Sequence, residues 1–212
     1  MITVACVRTG SKYGIDYVAK LRNMVASHLP TDHRFICLTD QPETLEGVEM
    51  IPIKGLSGWW AKMALFSPDV RGSGKCIYFD LDTVIIGDLS PLANIGADFA
   101  TCANFTKAVM PKYPCKYGSC VMVLADGFGA DIWRSFMAES QRIIASCKYG
   151  DQQAIEHLYP DAVLLQQVLP DGYMVGRRDF SDERPENAAI MIFAGQHKPH
   201  NTPHAWLKEA WQ

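Results

Sequence analysis

One stretch constrains this chain more than any other: Lys75-Cys76-Ile77-Tyr78-Phe79-Asp80-Leu81-Asp82-Thr83-Val84-Ile85-Ile86-Gly87-Asp88-Leu89. A near-continuous apolar run, long enough for a strand buried on both faces, stops on two acids one residue apart, and a second apolar run follows. Burying an uncompensated carboxylate costs several kcal/mol, so a fold that ends a core strand on two of them must supply a partner. In extended chain a spacing of two puts Asp80 and Asp82 on one side.

Two oxygen donors on one side of a strand end suit a hard divalent ion such as Mg²⁺ or Mn²⁺, and such an ion can hold the phosphates of a nucleotide. The plainer reading is a turn or a helix cap, since Asp-x-Asp alone is three common letters. The apolar runs on both sides favour the metal site.

The rest of the chain sets limits. Its 212 residues fit one domain, and 48% hydrophobic residues supply a substantial core. A net charge of −3, with no basic cluster beyond Arg177–Arg178, gives no pull toward nucleic acid or an anionic membrane. Ile2–Val7 is too short and lacks the basic flank of a signal peptide, and no apolar stretch reaches the length of a membrane span. Seven scattered cysteines without a Cys-x-x-Cys read as reduced thiols of a cytoplasmic protein. Cys115 and Cys120 are close enough in sequence to pair or bind metal, without a second such pair to support it.

Strands are expected at Ile2–Val7, Arg34–Thr39, Val48–Ile53, Lys75–Phe79, Phe99–Ala103, Ser119–Ala125, Ala162–Leu169 and Ala188–Ala194. Helices are expected at Ile15–Leu29, closed by Pro30, and at Trp60–Phe66, Ala130–Ser146 and Asp151–Leu158, the last with Asp151 as a cap. Strands alternating with helices in the first half predict an α/β fold: a mainly parallel sheet covered by helices, with ligands beyond the carboxyl ends of the strands. Arg8-Thr9-Gly10, Thr39-Asp40 and Asp80-Leu81-Asp82 all lie at such ends.

In this order the segments resemble the metal-dependent glycosyltransferases of GT-A fold, especially the glycogenin-like family 8 type. The likeness runs through the opening strand and Thr9-Gly10 turn, Trp60-Ala61-Lys62-Met63-Ala64-Leu65-Phe66, and the acid strand from Tyr78 to Leu89. It continues through Tyr117-Gly118-Ser119-Cys120-Val121-Met122, Gly150-Asp151-Gln152-Gln153 and the closing Phe193-Ala194-Gly195-Gln196-His197-Lys198-Pro199-His200. The resemblance implies a single compact domain with a nucleotide-binding half, 1–103, and an acceptor-side half, 104–212. It also implies a nucleotide-sugar donor, such as a UDP-sugar, an unspecified acceptor, Mn²⁺ or Mg²⁺, and retention of anomeric configuration.

Carried over residue by residue, Asp80 and Asp82 hold the metal, with Asp80 also contacting ribose or sugar. Leu81 and Gly195 lie against the donor, and Lys198 meets the diphosphate; alone, Lys198 also reads as a solvated loop lysine. Lys62 lies near the donor, and Asp151 and Gln152 face the reacting centre, while Thr9 and Asp40 meet the nucleoside or are turn formers. The family's metal-binding histidine has no counterpart at Ile192 or Ala194; His197, and behind it His200, is the nearest substitute. The family's asparagine is also missing from Tyr117-Gly118-Ser119. Trp59 and Trp60 read equally as sugar-stacking or core residues.

Two other classes share parts of this pattern. Haloacid-dehalogenase-like phosphatases have an apolar strand, Asp-x-Asp and threonine, but usually with a glycine before the threonine and near the start of the chain; Thr83 follows Asp82 directly. A degenerate transferase that binds nucleotide sugar or glycan without turnover would also account for the missing histidine.

Overall fold

The computed structural model describes residues 1–41, 43–193, 195 and 197–212. Among the described residues, ten strands form two sheets. Strands β1 (Ile2–Arg8), β2 (His33–Thr39), β3 (Glu49–Pro52), β4 (Cys76–Phe79), β6 (Phe99–Ala103), β7 (Tyr117–Leu124) and β8 (Val163–Leu164) build a seven-stranded sheet in the order β3-β2-β1-β4-β7-β6-β8. The β3, β2, β1 and β4 neighbours run parallel, β7 lies antiparallel to both β4 and β6, and β8 returns parallel to β6. A small sheet sets β5 (Thr83–Ile85) antiparallel to β10 (Ile190–Ile192), which runs parallel to β9 (Met174–Gly176).

Alternation along the strands divides the core into two apolar layers. Val4, Cys6, Ile77, Phe79, Val121 and Val123 face the Ile15–His28 helix, which offers Val18, Leu21 and Val25. Ala5, Ile36, Leu38, Tyr78, Met122 and Leu124 face the other way, toward Ile132, Phe136 and Ile143 of the Ala130–Ser146 helix. Both faces are covered, so the central strands are apolar throughout, as the sequence predicted.

Most expected elements form within a residue or two of their predicted ends, and three differ. Trp60–Phe66 belongs to a 3-10 segment, Gly58–Phe66, rather than an α-helix. Ala162–Leu169 is a two-residue strand followed by a helical turn, Leu165–Val168, because Gln166 accepts from the Ala103 amide at 2.7 Å and ends the ladder at the tip of β6. Asp151 is not a cap: Gly150, at φ +77°, occupies that position, and the Asp151 carboxylate turns inward. Ala194 and Gln196, expected in the last strand and closing segment, lie outside the described residues.

All seven cysteines are free thiols. Cys120 meets Cys102, sulfur to sulfur at 3.0 Å across β6 and β7, rather than Cys115. No described helix is long and apolar enough to cross a membrane.

Candidate active site

Carboxyl ends of β1 and β4, the 3-10 segment and the loop after β10 surround a cleft of about 680 Å³. Thr9, Lys62, Asp80, Leu81, Asp82, Asp151, Gln152, Gly195 and Lys198 all line it. Nine positions named from sequence as donor or metal contacts or catalytic groups therefore share one surface. Asp40 and His197 do not line it. Asp40 accepts the Gly10 amide at 3.1 Å, which ties the β2 end to the β1 turn. His197 is exposed, and His200 hydrogen-bonds with the Tyr17 hydroxyl. Among the described residues, no three His, Cys, Asp or Glu side chains gather where a metal ion could sit. Ile192 is a buried β10 residue on the cleft wall.

The two acids sit in a turn closed by the Thr83 amide on the Asp80 carbonyl, 3.0 Å, rather than on extended chain. The Asp80 amide donates to the Cys120 carbonyl at 2.8 Å, which fixes that turn to the start of β7's core. Each carboxylate is held by one tyrosine and one lysine, through a single oxygen. Asp80 Oδ1 accepts the Tyr78 hydroxyl at 2.6 Å and pairs with Lys62 Nζ at 3.0 Å. Asp82 Oδ2 accepts the Tyr13 hydroxyl at 2.8 Å and Lys198 Nζ at 2.5 Å. Among the described residues, Asp80 Oδ2 and Asp82 Oδ1 take no hydrogen bond from the protein.

Lys62 is the centre of the network. Its buried ammonium reaches Asp80, Asp151 Oδ2 at 3.1 Å, and both the carbonyl and hydroxyl oxygens of Ser119 at 3.1 and 3.0 Å. Burial works against its charge, but Asp151 and Asp80 outweigh it and hold Lys62 protonated above the ordinary lysine range. Ser119 also donates to Asp151. Three carboxylates thus share two ammonium groups, which leaves the network one negative charge in excess.

Tyr13, Tyr78 and Ser119 were not singled out from sequence. Tyr13 sits in the loop after β1, clamped by Arg8 Nε on its carbonyl at 3.0 Å. Only contact with an acid more than sixty residues away shows its role, and no local pattern marks that.

These tyrosines set a pH limit. Tyr17 is pushed up to about 12, by burial first and then by Asp82. Tyr13 is raised further, by burial and then Asp82, and Tyr78 by burial and then Asp80. An acid whose folded pKa exceeds its free value of 10 favours folding in full below that pH and loses the contribution as pH rises. Lys62, raised above 10.5, carries the same sign. Melting temperature, followed by circular dichroism, should show no loss from these groups up to pH about 10 and a decline above it. A melting temperature level to pH about 11.5 would contradict this reading.

No family model matches the sequence, and neither does any curated protein. Solved structures do match over nearly the whole chain. The galactosyltransferase LgtC in complex with donor and acceptor sugar analogues superposes with a TM-score of 0.70 at 13% identity, covering 98% of this chain and 93% of that one. GlyE, a glycosyltransferase of Streptococcus pneumoniae TIGR4, gives 0.64 at 15%, covering 100% of this chain and 60% of that one. The bifunctional glycosyltransferase WbbM gives 0.59 at 12%, covering 99% and 51%. The chain has the GT-A-type fold of these glycosyltransferases.

Proposed function

We propose that this GT-A-fold chain is a glycosyltransferase that moves a sugar from a nucleotide-sugar donor, a UDP-sugar in first place, to an acceptor, with a divalent cation and with retention. The carrying observation is the pair Asp80 and Asp82 on the cleft wall, each oriented through one oxygen by its own tyrosine and lysine, with the other oxygen taking no hydrogen bond from the described residues. Supporting it are the fold shared with glycosyltransferases, one of them bound to donor and acceptor sugar analogues.

The residues fit Mg²⁺ or Mn²⁺ bound in the usual manner of one or two carboxylates completed by phosphate oxygens. Asp80 and Asp82 would hold it, and when bound it would neutralise charge on the departing diphosphate.

The chain's own residues supply the rest. Lys198, carried by the loop after β10, is a second positive charge on the same side as Asp82, suited to the leaving phosphates. Lys62 fixes Asp80 and Asp151 relative to each other, so the donor meets groups already in place. Asp151, committed to Lys62 and Ser119, acts as a positioning residue in this reading. Gln152 follows it on the cleft wall and donates to the Tyr113 hydroxyl at 2.9 Å, which steadies its amide beside the reacting centre.

Thermal unfolding with UDP, GDP and their sugar conjugates, with and without Mn²⁺, tests this. A ligand at about one hundred times its dissociation constant stabilises by about 2.7 kcal/mol. A Mn²⁺-dependent shift with one nucleotide is expected, and release of that nucleotide from its sugar conjugate should follow. No shift with any of them overturns the reading; a shift without turnover across donors and acceptors indicates a binding module.

A further inference from the structure

The cleft that holds Asp151 and Gln152 also carries aromatic surface not assigned above to the donor. Trp59 is 58% exposed and Tyr149 41% exposed, yet both line the cleft, with Tyr113 beside them. Exposed large rings in a concave site usually face something.

These rings are held in place. The Trp59 indole packs against the backbone at Gly150: a Cβ there would meet it at 2.8 Å, so only glycine allows the contact. Tyr149 packs edge-on against Tyr113, with ring centres 4.9 Å apart, and Tyr113 takes the Gln152 amide hydrogen bond. Trp60, the neighbour with the same composition, is instead stacked inward on Phe136. The two tryptophans that sequence left equivalent thus have different fates.

We propose that Trp59, Tyr113 and Tyr149 form an acceptor subsite for a saccharide; this rests on the glycosyl-transfer reading above. A pyranose ring has a flat aliphatic face edged by hydroxyls. Rigid rings interleaved with an amide and the Lys148 ammonium match that pattern, with little ordering entropy to lose. A lipid tail would need a continuous apolar groove, which Gln152 and Lys148 interrupt. The donor's diphosphate is matched by Lys198, whose ammonium sits on Asp82. The subsite adjoins Gln152, so a sugar stacked there has its hydroxyls next to the group assigned to the reacting centre.

A glycan array probed with the protein in the presence of UDP and Mn²⁺, followed by titration of the best glycan, tests this. Wild type should bind at least one glycan. Tyr149→Ala and Trp59→Ala should each weaken that binding about tenfold, roughly the worth of one aromatic contact, while Tyr149→Phe retains it. UDP affinity, unchanged in all three, shows that the variants are folded. Glycan binding that survives both alanine variants, or UDP binding without any glycan binding, overturns the subsite alone. Loss of UDP affinity in the alanine variants also overturns it, by moving the rings to the nucleotide. Absence of UDP binding in the wild type overturns the transfer reading itself, and the subsite with it.

Discussion

Lys62→Met is expected to lower the unfolding free energy by about 3–5 kcal/mol, the cost of stripping the cation from a buried ion pair. The side chain is buried and has four oxygen acceptors, two of them carboxylates and two on Ser119. Methionine fills most of the volume and meets none of those acceptors, so Asp151 and Ser119 are left facing each other with an unbalanced charge. A Lys62→Arg variant separates stability from geometry. It restores charge, but its planar fork cannot reproduce a compact ammonium shared among four oxygens. Denaturant titration should therefore rank wild type above arginine and arginine above methionine, with donor turnover lost in both. A methionine variant as stable as wild type would mean that the network is dispensable to the fold.

Asp82→Asn is the second large effect, and it falls on chemistry more than on folding. The amide still accepts from the Tyr13 hydroxyl, but it removes the anion that holds Lys198 and one of two carboxylates available to a cation. Donor turnover should fall about a hundred- to a thousandfold, as for other losses of transition-state charge stabilisation. Nucleotide affinity should become insensitive to Mn²⁺, a readout that does not depend on turnover. The midpoint of thermal unfolding should move less than in Lys62→Met, because the buried Lys198 ammonium keeps the asparagine oxygen and the Phe193 carbonyl as acceptors, whereas Lys62→Met leaves two carboxylates without their ammonium. Unaltered Mn²⁺ dependence would remove Asp82 from the metal site.

Much of this site was legible in the chain because its key residues interrupt strong patterns. Two acids at the end of an apolar strand, and a glycine and a proline around Lys198, stand out without any partner being known. Lys62 was found by its segment, not by its burial. Tyr13 and Tyr78 look like core or loop aromatics until contacts 69 and 2 positions away reveal their hydroxyls on the acids. Periodicity also gave the two-layered core, since strands covered on both faces must be apolar throughout. It failed at Ala162–Leu169, where one glutamine side chain replaces a backbone partner, because that competition depends on where β6 ends in space. It also placed Asp80 and Asp82 on straight chain, whereas a single backbone hydrogen bond folds them into a turn.

The small sheet has a consequence in time. Strand β5 begins on the residue after Asp82, and its partner β10 leads into the loop that carries Lys198, 116 positions later in the chain. As the polypeptide emerges from the ribosome, the acids are made early and wait for most of the remaining sequence before their counter-charge arrives. Closing so long a loop is among the slower steps in folding, so the cleft is completed last. A nascent chain stalled before residue 190 would hold a nearly finished seven-stranded sheet around two aspartates, with Tyr13 the only one of Asp82's two described side-chain partners yet synthesised.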